Sequence, residues 1–261
     1  MATPAFQRYI GIDYSGAATP EKGLTGLRVY RAEGDGSPRE RRPTADGRRH
    51  WSRRSLAEWL MDTLDDPVPT LVGIDHGFAF PVAWHERYAM AGAWDGFLAD
   101  FRAHYPTDLP GVSVQQVRDG TIGRGPARAG HARWRRRAEA RVGAKSVFHF
   151  DVPGSVAKST HAGLPWLWHL RQRYGDILHA WPFDGWRVPP GRSAVAEIYP
   201  SIWSADYPRD ERTPDQHDAY VVARTLQRSD REGWLRPLLE PVLDAETHAA
   251  AALEGWILGV T

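Results

Sequence analysis

Thr70-Leu-Val-Gly-Ile-Asp75 is a continuous apolar run that ends in an acid. Such a run is typical of a strand that is buried on both faces of a sheet. Near the beginning of the chain, Tyr9-Ile-Gly-Ile-Asp13 repeats the pattern and ends in the same Gly-Ile-Asp triplet. The two runs therefore predict two buried strands, each with an aspartate at its carboxyl end.

Between these two runs the sequence predicts two further strands and a helix. Residues 24–30 alternate in the way expected of a strand, and residues 47–51 could complete a three-strand meander. From Ser52 to Asp65 the apolar residues fall on one helical stripe, with Ser52 as the expected N-cap. A helix is therefore expected just before the strand at 70–75.

Residues 81–191 are expected to form a large insertion. They contain no comparable buried strand and mix aromatic, basic and Gly/Pro-rich segments, with helices predicted near 84–104, 126–142 and 163–174. A last strand is predicted at 193–199, where Pro200 ends it. The insertion therefore precedes the last strand.

Two helices are predicted after that strand. Thr213-Pro-Asp-Gln216 has the pattern of a capping box with proline at the first helical position, and the helix is expected to run to about Gln227. A final helix is expected around 244–258. Three strands, helix, strand, insertion, strand and helix is the order of the RNase H-like fold. The sequence therefore predicts a single α/β domain over 1–261, with a mixed sheet flanked by helices.

The composition narrows the classes of protein and of site. The chain has 261 residues and no cysteine, so a disulfide framework and a Cys-ligated zinc site are excluded. No apolar run approaches the roughly 20 residues of a membrane-spanning helix, and no secretory signal pattern is visible. We therefore expect a cytoplasmic protein without a membrane partner, whose metal ligands, if any, are oxygen or imidazole.

Four aspartates are candidates for one metal site. The RNase H-like fold places its first and fourth strands side by side and parallel, so Asp13 and Asp75 should meet where active sites form in such sheets. Two such acids repel each other unless a cation lies between them, which favours a divalent metal. Asp215 and Asp218 are three residues apart and share one helix face, at the edge of its apolar stripe.

Other residues complete the candidate site. Glu197 lies in an otherwise apolar strand, where it could either line the site or pair with an arginine. Arg136, Lys145 and Lys158 of the insertion are candidates for contacts with the phosphate backbone of nucleic acid, although basic residues also decorate solvated helix faces. The phosphate-loop, zinc-protease, serine-hydrolase and dinucleotide-binding motifs are absent from the sequence.

Several short segments together resemble the domain of unknown function 429 family, whose members are regarded as predicted RNase H-like nucleases. They are Gly11-Ile-Asp13, Gly73-Ile-Asp75 with Pro81 after it, Ala144-Lys-Ser-Val-Phe148, Gly154-Ser-Val156, Glu197-Ile-Tyr-Pro200, Asp215-Gln-His-Asp-Ala219 and Glu254-Gly-Trp-Ile257. The spacing of Asp215 and Asp218 is also similar to that of Holliday-junction resolvases. The resemblance implies metal-dependent hydrolysis of phosphodiester bonds.

The leading hypothesis is therefore two-metal hydrolysis with Mg²⁺ or Mn²⁺ ions ~4 Å apart. Asp13 is expected to bridge the two ions, Asp75 and Asp218 each to complete one, and Asp215 or Glu197 to assist. Two alternatives remain. An actin-like ATP-dependent phosphotransferase also has an Asp and a glycine turn after its first strand, as in Asp13-Tyr-Ser-Gly16. A non-catalytic module would bind nucleic acid without turnover.

Overall fold

The computed structural model describes residues 4–43, 47–90 and 92–261. Among these residues, six strands form one sheet: β1 (Arg8–Asp13), β2 (Arg28–Glu33), β3 (Arg39–Arg41), β4 (Thr70–Asp75), β5 (Leu178–Trp181) and β6 (Ser193–Glu197). Their order across the sheet is β3-β2-β1-β4-β6-β5. β1, β2 and β3 pair antiparallel, whereas β1, β4, β6 and β5 run parallel. The predicted α/β class with a mixed sheet is thus confirmed.

Helices flank this sheet. They are α1 (Arg53–Leu64), α2 (Val82–Arg87), α3 (Trp94–His104), α4 (Val114–Arg118), α5 (Arg137–Arg141), α6 (Ala157–Tyr174), α7 (Pro214–Glu232), α8 (Leu235–Leu239) and α9 (Ala245–Glu254). The predicted N-cap of α1 is confirmed, because the Ser52 side chain accepts a hydrogen bond from the Ser55 amide. The capping box that was predicted at Thr213 begins α7. No helix in the described ranges is long and apolar enough to cross a membrane.

The sheet separates two apolar layers. Ile10, Ile12 and Val72 of the central strands pack in one core with Leu56 of α1 and Leu164 of α6. The opposite face contributes Tyr9, Leu71 and Ala196 to a second core, with Val222 and Leu226 of α7. Each central strand therefore buries alternate residues in different cores, which accounts for the unbroken apolar runs in the sequence.

Glycines in β1 and β4 allow α7 to lie close to the sheet. A Cβ added to Gly11 would be 2.2 Å from the Ala219 carbonyl oxygen and 2.5 Å from the Ala223 nitrogen. A Cβ added to Gly73 would be 2.7 Å from the Val222 side chain. The repeated Gly-Ile-Asp triplet therefore has a packing role, because its glycine makes room for the helix two residues before the aspartate.

The antiparallel strands differ from the prediction. The second strand spans Arg28–Glu33 rather than 24–30, since Leu24–Leu27 forms a turn in which the Leu27 amide donates to the Leu24 carbonyl oxygen. The third strand is Arg39–Arg41, not 47–51. Its sequence is fully charged, so no apolar alternation could reveal it. Glu40 of this strand forms an ion pair with Arg28 of β2 at 3.0 Å. Residues 44–46, which precede the predicted strand at 47–51, lie outside the described ranges.

The insertion and the last two helices also depart from expectation. β5 lies within 81–191, so the prediction of a segment without buried strands is wrong; its four residues are too few for periodicity to reveal. The predicted helix at 84–104 is two helices, α2 and α3, and Ala91 between them is not among the described residues. α7 continues to Glu232, where Gly233 takes a left-handed conformation, and α9 ends at Glu254 before Gly255 (φ +71°).

Candidate acidic active site

Asp13 and Asp75 are direct neighbours at the carboxyl ends of β1 and β4. The parallel register aligns Asp13 with Asp75, as it aligns Gly11 with Gly73. In-register neighbours in a sheet share a face, so both carboxylates lie on the face that α7 covers. The strand ends thus bring together two acids that are 62 positions apart in the sequence.

The first two turns of α7 bring Asp215 and Asp218 to the same place. An Asp215 carboxylate oxygen lies 3.6 Å from where a Cβ on Gly26 would be, and Ser15 Oγ borders the same point. Asp218 accepts a hydrogen bond from Ser204 at 3.5 Å. All four aspartates are half-buried, so they remain accessible to a ligand.

The charges of neighbouring acids act on Asp13, Asp75 and Asp218. Burial, followed by the charges of Asp75, Asp215 and Asp218, raises the pKa of Asp13 well above its usual range. Burial and the charges of Asp218 and Glu197 do the same to the pKa of Asp75. The pKa of Asp218 is raised mainly by burial and further by Asp215, against the lowering effects of His217 and Ser204. The cluster is therefore costly to ionise fully.

Few donors compensate these acids. Within residues 4–43, 47–90 and 92–261, the carboxylates of Asp13, Asp75 and Asp215 accept no hydrogen bond from protein donors, and the 3.5 Å contact to Ser204 is long. Arg28 lies opposite Asp13 in β2 and lowers its pKa, but this guanidinium is engaged with Glu40. Sequence reasoning missed Arg28, because only the strand register places it beside Asp13.

The donor set suits a hard divalent cation. Carboxylate oxygens without protein donors, in a half-buried cluster of like charge, are the ligands that Mg²⁺, Mn²⁺ and Ca²⁺ prefer. In the part of the chain that is described, however, no three acidic or histidine side chains stand close enough to form a ready-made metal cluster. The aspartates therefore have the chemistry that a divalent cation requires. To bind one, their carboxylates would have to move closer together.

Glu197 lies on the other side of the sheet. The register aligns it with Ile74, so its side chain leaves β6 on the face opposite to that of Asp75. Arg136 binds it through two hydrogen bonds of 2.5 and 2.6 Å, and the Phe78 amide donates to it at 3.0 Å. Two roles were considered for Glu197, and the structure confirms the pairing with an arginine.

The same contacts correct the expectation for Arg136. Its side chain is 1% exposed and its Nε also donates to Glu139 at 2.9 Å. A guanidinium enclosed by two carboxylates is not available to phosphate. Its pKa is raised despite burial, because Glu197 and Glu139 stabilise the charge. Arg136 therefore stabilises the protein interior beside the acidic cluster and does not bind a ligand.

Lys145 and Lys158 remain near the acidic cluster. Lys145 is half-buried, donates to the Pro153 carbonyl oxygen and lines a cavity of about 20 Å³ with Asp75 and His76, which is room for one water molecule. Lys158 is exposed and pairs with Asp151 at 2.8 Å. Its own carbonyl oxygen lies against Gly16, three residues after Asp13, so both lysines border the region of the cluster.

Arg53 supports the loop that follows Asp13, which the sequence did not indicate. This fully buried guanidinium donates to the carbonyl oxygens of Ala17 at 2.5 Å, Ala18 at 3.1 Å and Ser15 at 3.3 Å. The sequence showed it only as part of a basic stretch. Its burial depends on α1 lying beneath the loop, which no local pattern reveals.

Comparison with known proteins identifies no relative: no family model, no curated protein and no solved structure matches the chain. The resemblance to the domain of unknown function 429 family therefore stays a prediction.

Proposed function

We propose that the protein is a cytoplasmic metal-dependent nuclease with an RNase H-like fold. The observation that carries the proposal is the clustering of Asp13, Asp75, Asp215 and Asp218 on the α7 face of the sheet, where the described residues supply one long hydrogen bond, from Ser204 to Asp218. The sheet order supports the fold assignment, since an antiparallel meander followed by parallel strands is what that fold requires. Acids at the carboxyl ends of neighbouring parallel strands lie where such sheets carry their active sites.

Asp13, Asp75 and Asp218 are the proposed ligands of Mg²⁺ or Mn²⁺. When bound, the metal would activate water and stabilise the leaving oxygen of a phosphodiester. Asp13 is the shared member, because it is the residue whose pKa responds to all three other aspartates. Asp215, whose carboxylate lies near Ser15, would assist. Glu197 is left out of the proposed ligand set, since Arg136 occupies both of its oxygens.

The positive groups nearest the cluster are the proposed contacts to nucleic acid. Lys158 and Lys145 border it on the side of α6, and Arg28 lies beside Asp13. Lys158 is exposed, and its partner Asp151 is itself exposed, so a phosphate could replace that carboxylate at little cost.

Metal binding can be tested without knowing the substrate. Thermal unfolding of the wild type should shift upward with Mn²⁺, because a ligand that binds only the folded state adds about 2.7 kcal/mol at 100 times its Kd. Asp13→Asn and Asp218→Asn should remove most of this shift. Asp119→Asn, an exposed acid at the end of α4, is the matched control and should retain it. An undiminished shift in both site variants would contradict the proposed ligands.

Catalysis requires a separate measurement. The wild type should cleave at least one of single-stranded DNA, duplex DNA, an RNA–DNA hybrid or a branched junction in the presence of Mg²⁺ or Mn²⁺. Asp13→Asn should abolish cleavage while the protein remains folded. Metal-dependent binding without cleavage of any of these substrates would instead favour the non-catalytic module.

A further inference from the structure

The insertion contains an open pocket of about 350 Å³ that is separate from the acidic cluster. Its walls include Tyr105, Phe148, Phe150, His161 and Arg118. This volume is at the lower end of the range of ~300 to 1,000 Å³ that is common for small-molecule sites. These rings and the Arg118 guanidinium in so small a space favour a planar aromatic ligand.

Two polar atoms in the pocket wall have no protein partner in the described part of the chain. His161 is 1% exposed, and its Nδ1 is hydrogen-bonded to the Ala157 carbonyl oxygen at 2.8 Å. Burial lowers the pKa of His161 to about 3, so the ring is neutral and Nε2 is left as an acceptor. The hydroxyl of Tyr105, a residue that is 3% exposed, likewise makes no hydrogen bond and is a donor. The pocket thus offers a hydroxyl that can donate or accept and an imidazole nitrogen that can accept.

A ring surface accompanies these polar atoms. Phe150 is half-buried, and its ring lies 4.7 Å from that of His161. The Arg118 guanidinium lies 3.9 Å from the centre of the Phe150 ring. Aromatic and guanidinium planes are the surfaces on which proteins stack unpaired bases.

A short chain of contacts joins this pocket to the acidic cluster. The Asp151 carboxylate binds Arg118 at 3.1 Å and Lys158 at 2.8 Å. The Lys158 carbonyl oxygen in turn lies against Gly16. The beginning of α6 therefore contacts the pocket through His161 and the loop after Asp13 through Lys158. Arg124 and Arg133, which flank the 126–132 segment of the pocket wall, are exposed and form no ion pair within the described residues.

We propose that this pocket binds one unpaired base of a single-stranded nucleic acid whose backbone continues across the beginning of α6 to the acidic cluster. The proposal rests on the nuclease function and names its substrate class. A base supplies a flat ring with donors and acceptors on its edge, and an unpaired base enters a pocket without the cost of unpairing that a base in a duplex carries. A duplex would reach the acidic cluster without using the pocket.

The test is a binding measurement in EDTA, where no cleavage occurs. Fluorescence anisotropy compares a labelled single strand of about 12 nucleotides with the same sequence as a duplex. The single strand should bind more tightly. Tyr105→Phe should weaken its binding about fivefold, as expected for one lost hydrogen bond. Phe150→Leu should weaken it about tenfold or more through lost stacking.

Tyr207→Phe and Phe183→Leu are matched controls, because they make the same chemical changes at residues that do not line the pocket. They should leave affinity unchanged, and thermal melts should show that all four variants fold. Equal affinity of the wild type for strand and duplex, or equal weakening by pocket and control variants, would overturn the proposal. A nuclease whose Tyr105→Phe and Phe150→Leu variants bind normally would refute the base pocket alone. Base-dependent binding without metal-dependent cleavage by the wild type would refute the nuclease alone.

Discussion

At the scale of single residues, the strand-end aspartates are costly to the metal-free protein. Asp13 lies in register with Asp75 and near both aspartates of α7, while its cationic neighbour Arg28 is engaged with Glu40. Residues that lower stability in this way are common at functional sites, where activity depends on a strained or destabilised arrangement. The pH dependence of stability follows from the same contacts.

Asp13→Asn should stabilise the metal-free protein, and increasingly so as the pH rises. The raised pKa means that the folded state holds a proton which the unfolded state has released, so ionisation above the ordinary carboxyl pKa of 3.8 costs stability. Asparagine carries no charge and avoids this cost, with a gain of about 0.5 to 2 kcal/mol at pH 8. Urea unfolding of both proteins between pH 4 and 8 measures the difference. A difference that stays constant with pH would contradict the raised pKa.

Arg136→Met should destabilise the protein by about 3 to 5 kcal/mol, because Glu139 and Glu197 would be left buried without their cation. Arg137→Ala, which breaks the exposed pair with Glu246, is the control and should change the free energy of unfolding far less. Chemical denaturation measures both. A stable Arg136→Met protein that had lost only affinity for nucleic acid would restore the role first expected from the sequence.

At the scale of elements, the site depends on how α7 lies on β1 and β4. In each Gly-Ile-Asp triplet the glycine and the aspartate lie two residues apart and therefore on the same face of the sheet. The glycine leaves room for α7, and the aspartate faces that helix. The capping box at Thr213 begins the helix beside the strand ends, with Asp215 in its first turn.

Gly11→Ala should therefore weaken both the fold and the site. The new Cβ would overlap backbone atoms of Ala219 and Ala223, which must move with the whole helix. We expect a loss of about 1 to 3 kcal/mol and a smaller Mn²⁺-induced shift. Gly96→Ala in α3 is the control: it has nothing within 4 Å and should stabilise by up to about 1 kcal/mol. Thermal melts with and without Mn²⁺ check both, and an unchanged metal response in Gly11→Ala would contradict the coupling.

At the scale of the whole molecule, one sheet positions two different sites. Its α7 face carries the acidic cluster, and its other face supports α6, whose first residues line the aromatic pocket of the insertion and contact the loop after Asp13. The buried histidines His76 and His161, whose pKa values are lowered to about 4 and 3, add their own dependence of stability on pH. An experiment on the acidic cluster must separate the two effects.

The stabilisation by Mn²⁺ should increase with pH. Protons compete with metal for Asp13 and Asp75, whose raised pKa values extend that competition above the usual carboxyl range. Taking the difference in melting temperature with and without Mn²⁺ at each pH cancels the contribution of the histidines. The shift should be larger at pH 8 than at pH 5.5. A shift that is equal at both values would mean that the metal binds elsewhere.

Local patterns in the sequence determined the fold class and most of the central elements. The buried strands ending in Asp13 and Asp75, the cap at Ser52 and the capping box at Thr213 all depend on neighbours within a few residues, which is why they were predictable. The candidate acids were visible for the same reason, since an acid that ends an apolar run is recognisable from the run itself.

Tertiary structure alone decided which charged residues are paired and which are left without donors. Arg136 and Arg53 belong to basic stretches of the sequence, yet both are buried. Arg136 is enclosed by carboxylates that are 3 and 61 positions away in the sequence, and Arg53 by the loop after β1. Glu197 and Asp75 end neighbouring strands, yet a register offset of one residue sends them to opposite faces. The energy of an ion pair depends on the distance between its charges and on their burial, and the separation of two residues in the sequence determines neither quantity.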